Sequence, residues 1–99
     1  MTRVLKPLLN GGKFRSIWRV NKVRKIALFG SHAVGRPRAN SDIDFLVDFE
    51  KGADLFDQIG LKDDLQLLFK KKVDVVTRTS LNKYIRSRVL KEAVDLVIV

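Results

Sequence analysis

Between Asp42 and Glu50 the chain reads D-I-D-F-L-V-D-F-E. Side chains alternate across a strand, so Ile43, Phe45, Val47 and Phe49 share one face while Asp42, Asp44, Leu46, Asp48 and Glu50 share the other. Asp42 and Asp44 then project the same way, about 6.5 to 7 Å apart along the backbone. Val73 to Thr77 (V-D-V-V-T) reads as a further strand, and as a neighbour it would add the carboxylate of Asp74 to the pair. Like charges that close are costly unless a cation neutralises them. Carboxylate oxygens are the ligands magnesium prefers, and magnesium keeps positions open for substrate phosphates. Two carboxylates bridging two metals, with a third on one of them, support in-line phosphoryl transfer. Asp42, Asp44 and Asp74 are therefore the candidate metal ligands.

A candidate phosphate site precedes them. The apolar run Lys25 to Phe29 reads as a buried strand ended by glycine. A strand ending in Gly30-Ser31 and feeding a helix aims free backbone N–H groups at whatever binds there. Gly30 permits close backbone approach and Ser31 adds a hydroxyl. Neither GxxxxGK[ST] nor GxGxxG occurs in the chain, so this is neither a P-loop nor a dinucleotide fingerprint.

The elements that must position these residues follow from periodicity and punctuation. Residues 3 to 9 form a short helical candidate, broken at Asn10-Gly11-Gly12; a second helix is expected over Phe14 to Val23. Gly30 to Gly35 reads as a turn opening a short helix, and Arg36 to Asn40 as a loop. Asp54 is an expected N-cap for a helix over 55 to 71, with Phe56, Ile59, Leu65, Leu68 and Phe69 inward and Gly60 as a possible kink. Ser80 is expected to cap a last helix through about Ala93, with Leu81, Tyr84, Ile85, Val89 and Ala93 on its packed side. Asp95 to Val99 reads as a final strand or an apolar tail. Such alternation predicts an α/β domain, bordering on α+β, spanning 1 to 99 as one unit: a small mixed sheet of three to four strands with helices mainly on one face. Asp48, Glu50, Asp63 and Asp64 are expected in solvent, His32 on the surface at a helix start, Trp18 and Tyr84 in packing roles, and Lys70 to Lys72 at a solvated helix end.

Composition narrows the class. The 99 residues are 45% hydrophobic and 31% charged, as in an ordinary globular domain. There is no cysteine, which excludes disulfides, thiolate zinc sites and a cysteine nucleophile. No run nears the roughly 18 apolar residues of a membrane span, and the first ten residues lack a secretory signal, so a cytoplasmic address is expected. The net charge of +9 is wholly N-terminal: residues 1 to 41 hold ten Lys or Arg and no acid. That field suits phosphate, RNA or an acidic protein.

Gly30-Ser31, ten residues, then Asp42-Ile43-Asp44 resemble the G-S-x10-D-x-D signature of the DNA polymerase β-like nucleotidyltransferase superfamily. Residues 26 to 35, 41 to 49, 72 to 77 and 87 to 94 resemble the minimal nucleotidyltransferase (MNT) family, the antitoxin half of HEPN–MNT toxin–antitoxin pairs. The resemblance implies a polymerase β-like core, ATP and Mg2+ (a two-metal site), and AMP transfer to a hydroxyl of a HEPN-type toxin; with 99 residues leaving little room for an acceptor-binding domain, the acceptor is expected to come from a partner or a second copy, in a hetero-oligomer or homodimer. The resemblance carries over Gly30 and Ser31 as triphosphate contacts, and Asp42, Asp44 and Asp74 as catalytic metal ligands, with Asp74 also activating the acceptor hydroxyl. Members commonly read G-S-x-A-R-G, whereas Val34 stands here at the arginine position; Arg36 or Arg38 would have to substitute. The competing expectations are an MNT-fold module that neutralises its partner by occlusion alone, and transfer to RNA or a small molecule.

Overall fold

A computed structural model describes residues 9, 11–33 and 42–96. The helix expected over 3–9 (Leu9 apart), the loop at 36–40, Val34 and the last three residues lie outside that set. In chain order the elements are α1 (Gly12–Val20), β1 (Val23–Phe29), a 3-10 turn (Gly30–His32), β2 (Ile43–Phe49), α2 (Leu55–Phe69), β3 (Val73–Thr77), a second 3-10 turn (Arg78–Ser80), α3 (Lys83–Glu92) and β4 (Val94–Asp95). The four strands form one mixed sheet in the order β3-β2-β1-β4. β1 pairs antiparallel with β2 and β4, and β2 pairs parallel with β3. A small mixed sheet of four strands with helices mainly on one face is the architecture expected from the sequence, while the strand order comes from the structure.

The apolar face of the strands builds the core. Ile26 and Leu28, then Ile43, Phe45 and Val47, then Val73 and Val75, are all buried beneath α1 and α2. Burying each large side chain contributes roughly 1.5–3 kcal/mol, and the aromatics add directed packing. Phe14 lies 5.8 Å from Trp18, 6.2 Å from Phe45 and 6.0 Å from Phe69, ring centre to ring centre. Trp18 is thus a packing residue, as expected. A bulge between Val23 and Lys25 breaks the two-residue period of β1. Val23 and Ile26 both reach the core, and Arg24 and Lys25 are both left outside.

Polar details lock α2 in place. Asp54 caps it, accepting from the Asp57 N–H, while Asp57 accepts in return from the Asp54 N–H. Gly60 neither breaks nor kinks the helix. A Cβ there would stand 2.7 Å from Oδ1 of buried Asn21, so its role is close approach. Asn21 in turn donates through Nδ2 to the Ile17 carbonyl and to Asp64, both at 2.9 Å, which makes Asp64 a partner of α1 rather than a plain surface charge. Two glutamines of α2 cover the outer edge of β3: Gln66 accepts from the Val73 N–H at 3.1 Å, and Gln58 donates to the Val75 carbonyl at 3.3 Å. An edge strand shielded in this way offers no template for further pairing.

Several expectations fail for tertiary reasons. Leu61, Leu65 and Phe69 are the buried face of α2, while Phe56 is 83% exposed and Ile59 is exposed too. Among the described residues, neither Phe56 nor Ile59 joins the core that Leu61, Leu65 and Phe69 enter. α3 begins later than expected: Asn82 caps it by accepting from the Tyr84 N–H, and Ser80 closes the preceding turn against Thr77 instead. Tyr84 is 82% exposed and Ile85 is exposed. Only Leu81, Val89 and Ala93 of this segment pack, against Ala27, Phe29, Leu46 and Val76 on the second face of the sheet.

Candidate functional site

That second face carries the carboxylates. Asp44 lies in register with Phe29 of β1 on one side and with Asp74 of β3 on the other. Because neighbouring strands run about 4.8 Å apart, and paired residues share a face, Asp44 and Asp74 are cross-strand neighbours. Asp42 immediately precedes β2, half-buried, two residues from Asp44. Burial first, then the negative charges of Asp74 and Asp42, push the Asp44 carboxyl above its ordinary value, while His32 pulls it back. Asp74 itself is exposed, so the site is open on the β3 side.

The Gly-Ser turn closes the other side. Gly30 sits at φ +75°, in the left-handed region that costs residues with a Cβ about 1–2 kcal/mol. A Cβ at Gly30 would also fall on the Asp44 carboxylate, with Cγ 3.3 Å away. Glycine is therefore required twice, by the backbone and by the carboxylate it faces. Ser31 follows, half-buried. The turn is three residues long, too short to carry a helix dipole. What it offers an anion is its backbone N–H groups and the Ser31 hydroxyl.

Two residues differ from expectation. His32 is only 3% exposed, because the turn tucks it inward beside β2 rather than releasing it to solvent. It lies close enough to Asp44 to offset part of the rise in that carboxyl's pKa, a placement for which residue type and spacing hold no signal. Asp48, further along the open face, is half-buried and paired with Arg78, whose Nε donates to both carboxylate oxygens at 3.2 and 2.9 Å. Glu50 is exposed, as expected.

Among the described residues, no three Asp, Glu or His side chains already converge as a cage for a metal ion. The donor set nonetheless suits a hard cation. It consists of carboxylate oxygens that repel one another at a partly buried position, and magnesium is ordinarily held by one or two carboxylates together with substrate phosphates and water.

A mixed sheet presenting paired aspartates beside a glycine-serine turn has the donors to hold a phosphate group and a hard cation together. The nucleotidyltransferase domain family matches residues 12–96, and the chain belongs to it. Protein adenylyltransferase MntA of Thermococcus cleftensis is 42% identical over 72 residues, 73% of this chain and 73% of that protein. A solved structure described as a minimal nucleotidyltransferase superposes with a TM-score of 0.72 at 38% identity, over 81% of this chain and 82% of the other. A toxin–antitoxin structure solved with AMP-PNP gives a TM-score of 0.72 at 28% identity, over 91% of this chain and 74% of the other. The chain is thus a minimal nucleotidyltransferase by sequence and by fold.

Proposed function

We propose that this domain, taken as one unit over 1 to 99, transfers AMP from ATP to a hydroxyl of a partner protein with the help of magnesium, and acts as the antitoxin of a HEPN–MNT pair. The observation that carries the reading is the register of Asp44 with Asp74 beside a Gly30 whose missing Cβ leaves room for the Asp44 carboxylate. In this reading Asp42, Asp44 and Asp74 hold magnesium. Bound there, the metal would supply neutralisation of the triphosphate charge that develops during transfer. Gly30 and Ser31 hold the triphosphate through N–H groups and the hydroxyl. In the same reading Asp74, exposed at the sheet edge, accepts the proton of an incoming hydroxyl. Similarity to a protein adenylyltransferase and to a toxin–antitoxin structure solved with AMP-PNP supports AMP as the group, ATP as its source and a toxin as the acceptor. Transfer in the cytoplasm, within a hetero-oligomer, completes the reading.

Replacing Asp44 by Ala should abolish transfer of label from ATP to the HEPN-type partner while leaving the fold intact; transfer retained at the wild-type rate sinks the assignment. Val34 at the usual arginine position favours a second reading, neutralisation by occlusion without turnover. Calorimetry separates the two, since the enzyme binds ATP and magnesium together and an occluding module need not. Transfer to RNA would instead show steep salt dependence of RNA affinity.

A further inference from the structure

A second site lies away from the carboxylates, where α1 crosses the β1–β4 edge of the sheet. A cavity of about 260 Å³ is lined there by Trp18, Arg24, Lys25, Ile26, Arg78, Asp95 and Leu96. Lys25 pairs with Asp48, whereas Phe29 pairs with Asp44, so four residues, about 13 Å along the strand, separate the cavity from the catalytic end. Three observations concern its chemistry. The bulge in β1 leaves both Arg24 and Lys25 outside the core, and among the described residues neither has an acid partner. Arg78 holds Asp48 through Nε alone, which leaves its terminal nitrogens unclaimed among the described residues. Trp18 is 7% exposed and presents its ring to the cavity, while its indole N–H is itself buried and has no acceptor among the described residues. Asp95 is the one acid of the rim and carries no ion pair among the described residues.

We propose that this cavity is an oxyanion site, taking a phosphate or carboxylate group of a bound partner against Arg24, Lys25 and Arg78, beside the Trp18 ring. Donors outnumber acceptors in the lining, and an oxyanion is the ligand that satisfies several of them at once. The two cations that matter lie on the solvent side of the bulge, so a ligand can enter without disturbing the core. The site stands independently of nucleotidyl transfer, since it shares no residue with Gly30, Ser31, Asp42, Asp44 or Asp74.

Trp18 is the only tryptophan of the chain and lines this cavity, so tryptophan emission comes from this one position. Potassium phosphate titrated into the full chain, with ionic strength held constant by potassium chloride, should give a saturable red shift of that emission. The NMR shift of the Trp18 indole N–H should follow the same curve. Arg24→Ala combined with Lys25→Ala, both exposed and outside the core, should weaken the response by about tenfold or more. Asp44→Asn should leave it unchanged. A parallel titration with potassium acetate tells the sources apart. Response to phosphate alone assigns a phosphate-bearing ligand, and response to acetate, alone or as well, assigns a carboxylate-bearing one. Three results would overturn the site: no saturable response in emission or indole shift to either anion, an equal response in the double variant, or a changed response in Asp44→Asn, which would move the ion to the catalytic turn.

Discussion

Substituting Gly30 by Ala tests the geometry of the carboxylate site most directly. The change adds one methyl group, and its consequences separate into two parts. At φ +75° the alanine backbone is disfavoured by about 1–2 kcal/mol, which for a domain of this length corresponds to roughly 4–8 °C in Tm per kcal/mol. The added methyl also lands on the Asp44 carboxylate, with Cγ only 3.3 Å away. The carboxylate must swing aside or the turn must shift, and either movement takes the proposed metal ligand from its place. A displacement on the order of 1 Å costs catalysis about a hundredfold, so transfer should fall by that factor although most molecules remain folded. A double-mutant cycle resolves the parts. With Asp44→Ala as background the collision is gone and only the backbone strain remains, so Gly30→Ala should cost less there, by about 0.5 kcal/mol or more. Urea unfolding of the four proteins at pH 7, with matched m-values, measures the stabilities, and labelled ATP measures transfer in wild type and Gly30→Ala. Equal stability losses in both backgrounds, together with undiminished transfer in Gly30→Ala, would refute the argument that glycine makes room for Asp44.

Two further outcomes follow from the same physics. The Asp44 carboxyl titrates above its ordinary value of 3.8, chiefly through burial and then through Asp74 and Asp42; its charged form is therefore penalised in the folded state. That penalty is full above the folded pKa, shrinks as pH falls through it, and is gone below about 3.8. Asp44→Asn should accordingly be more stable than wild type at pH 7 in EDTA, with the advantage vanishing toward pH 3 in urea melts, while losing transfer; a variant less stable at pH 7 contradicts the account. Gly60→Ala should destabilise despite a helix-propensity gain of up to about 1 kcal/mol, because the methyl would stand 2.7 Å from Asn21 Oδ1. In an Asn21→Ala background the sign should reverse, and thermal melts of the pair that show no reversal would remove close approach as the reason for this glycine.

Periodicity carried much of the site into view. A strand alternates its side chains whatever surrounds it, so D-I-D-F-L-V-D-F could only place Asp42 and Asp44 opposite Ile43 and Phe45. Asp54 could likewise be read as a cap, because capping is satisfied within four residues. Phe56, Ile59, Tyr84 and Ile85 resisted the same treatment. Their helical spacing is apolar, yet burial depends on what another element brings to that face, and at the first turns of α2 and α3 nothing arrives.

The sequence by itself determined which residues are able to do chemistry: the Gly30-Ser31 pair, the carboxylates at 42, 44 and 74, and the resemblance their spacing carries. Tertiary structure alone decided how they meet. Parallel pairing of β2 with β3 puts Asp74 in register with Asp44, and the Gly30 turn folds back onto the Asp44 carboxylate. The same turn buries His32 beside the site, and a bulge in β1 turns Arg24 and Lys25 outward together. Each of these is a contact between segments distant along the chain. Local pattern constrains what a segment can offer, whereas register and packing choose which offers coincide.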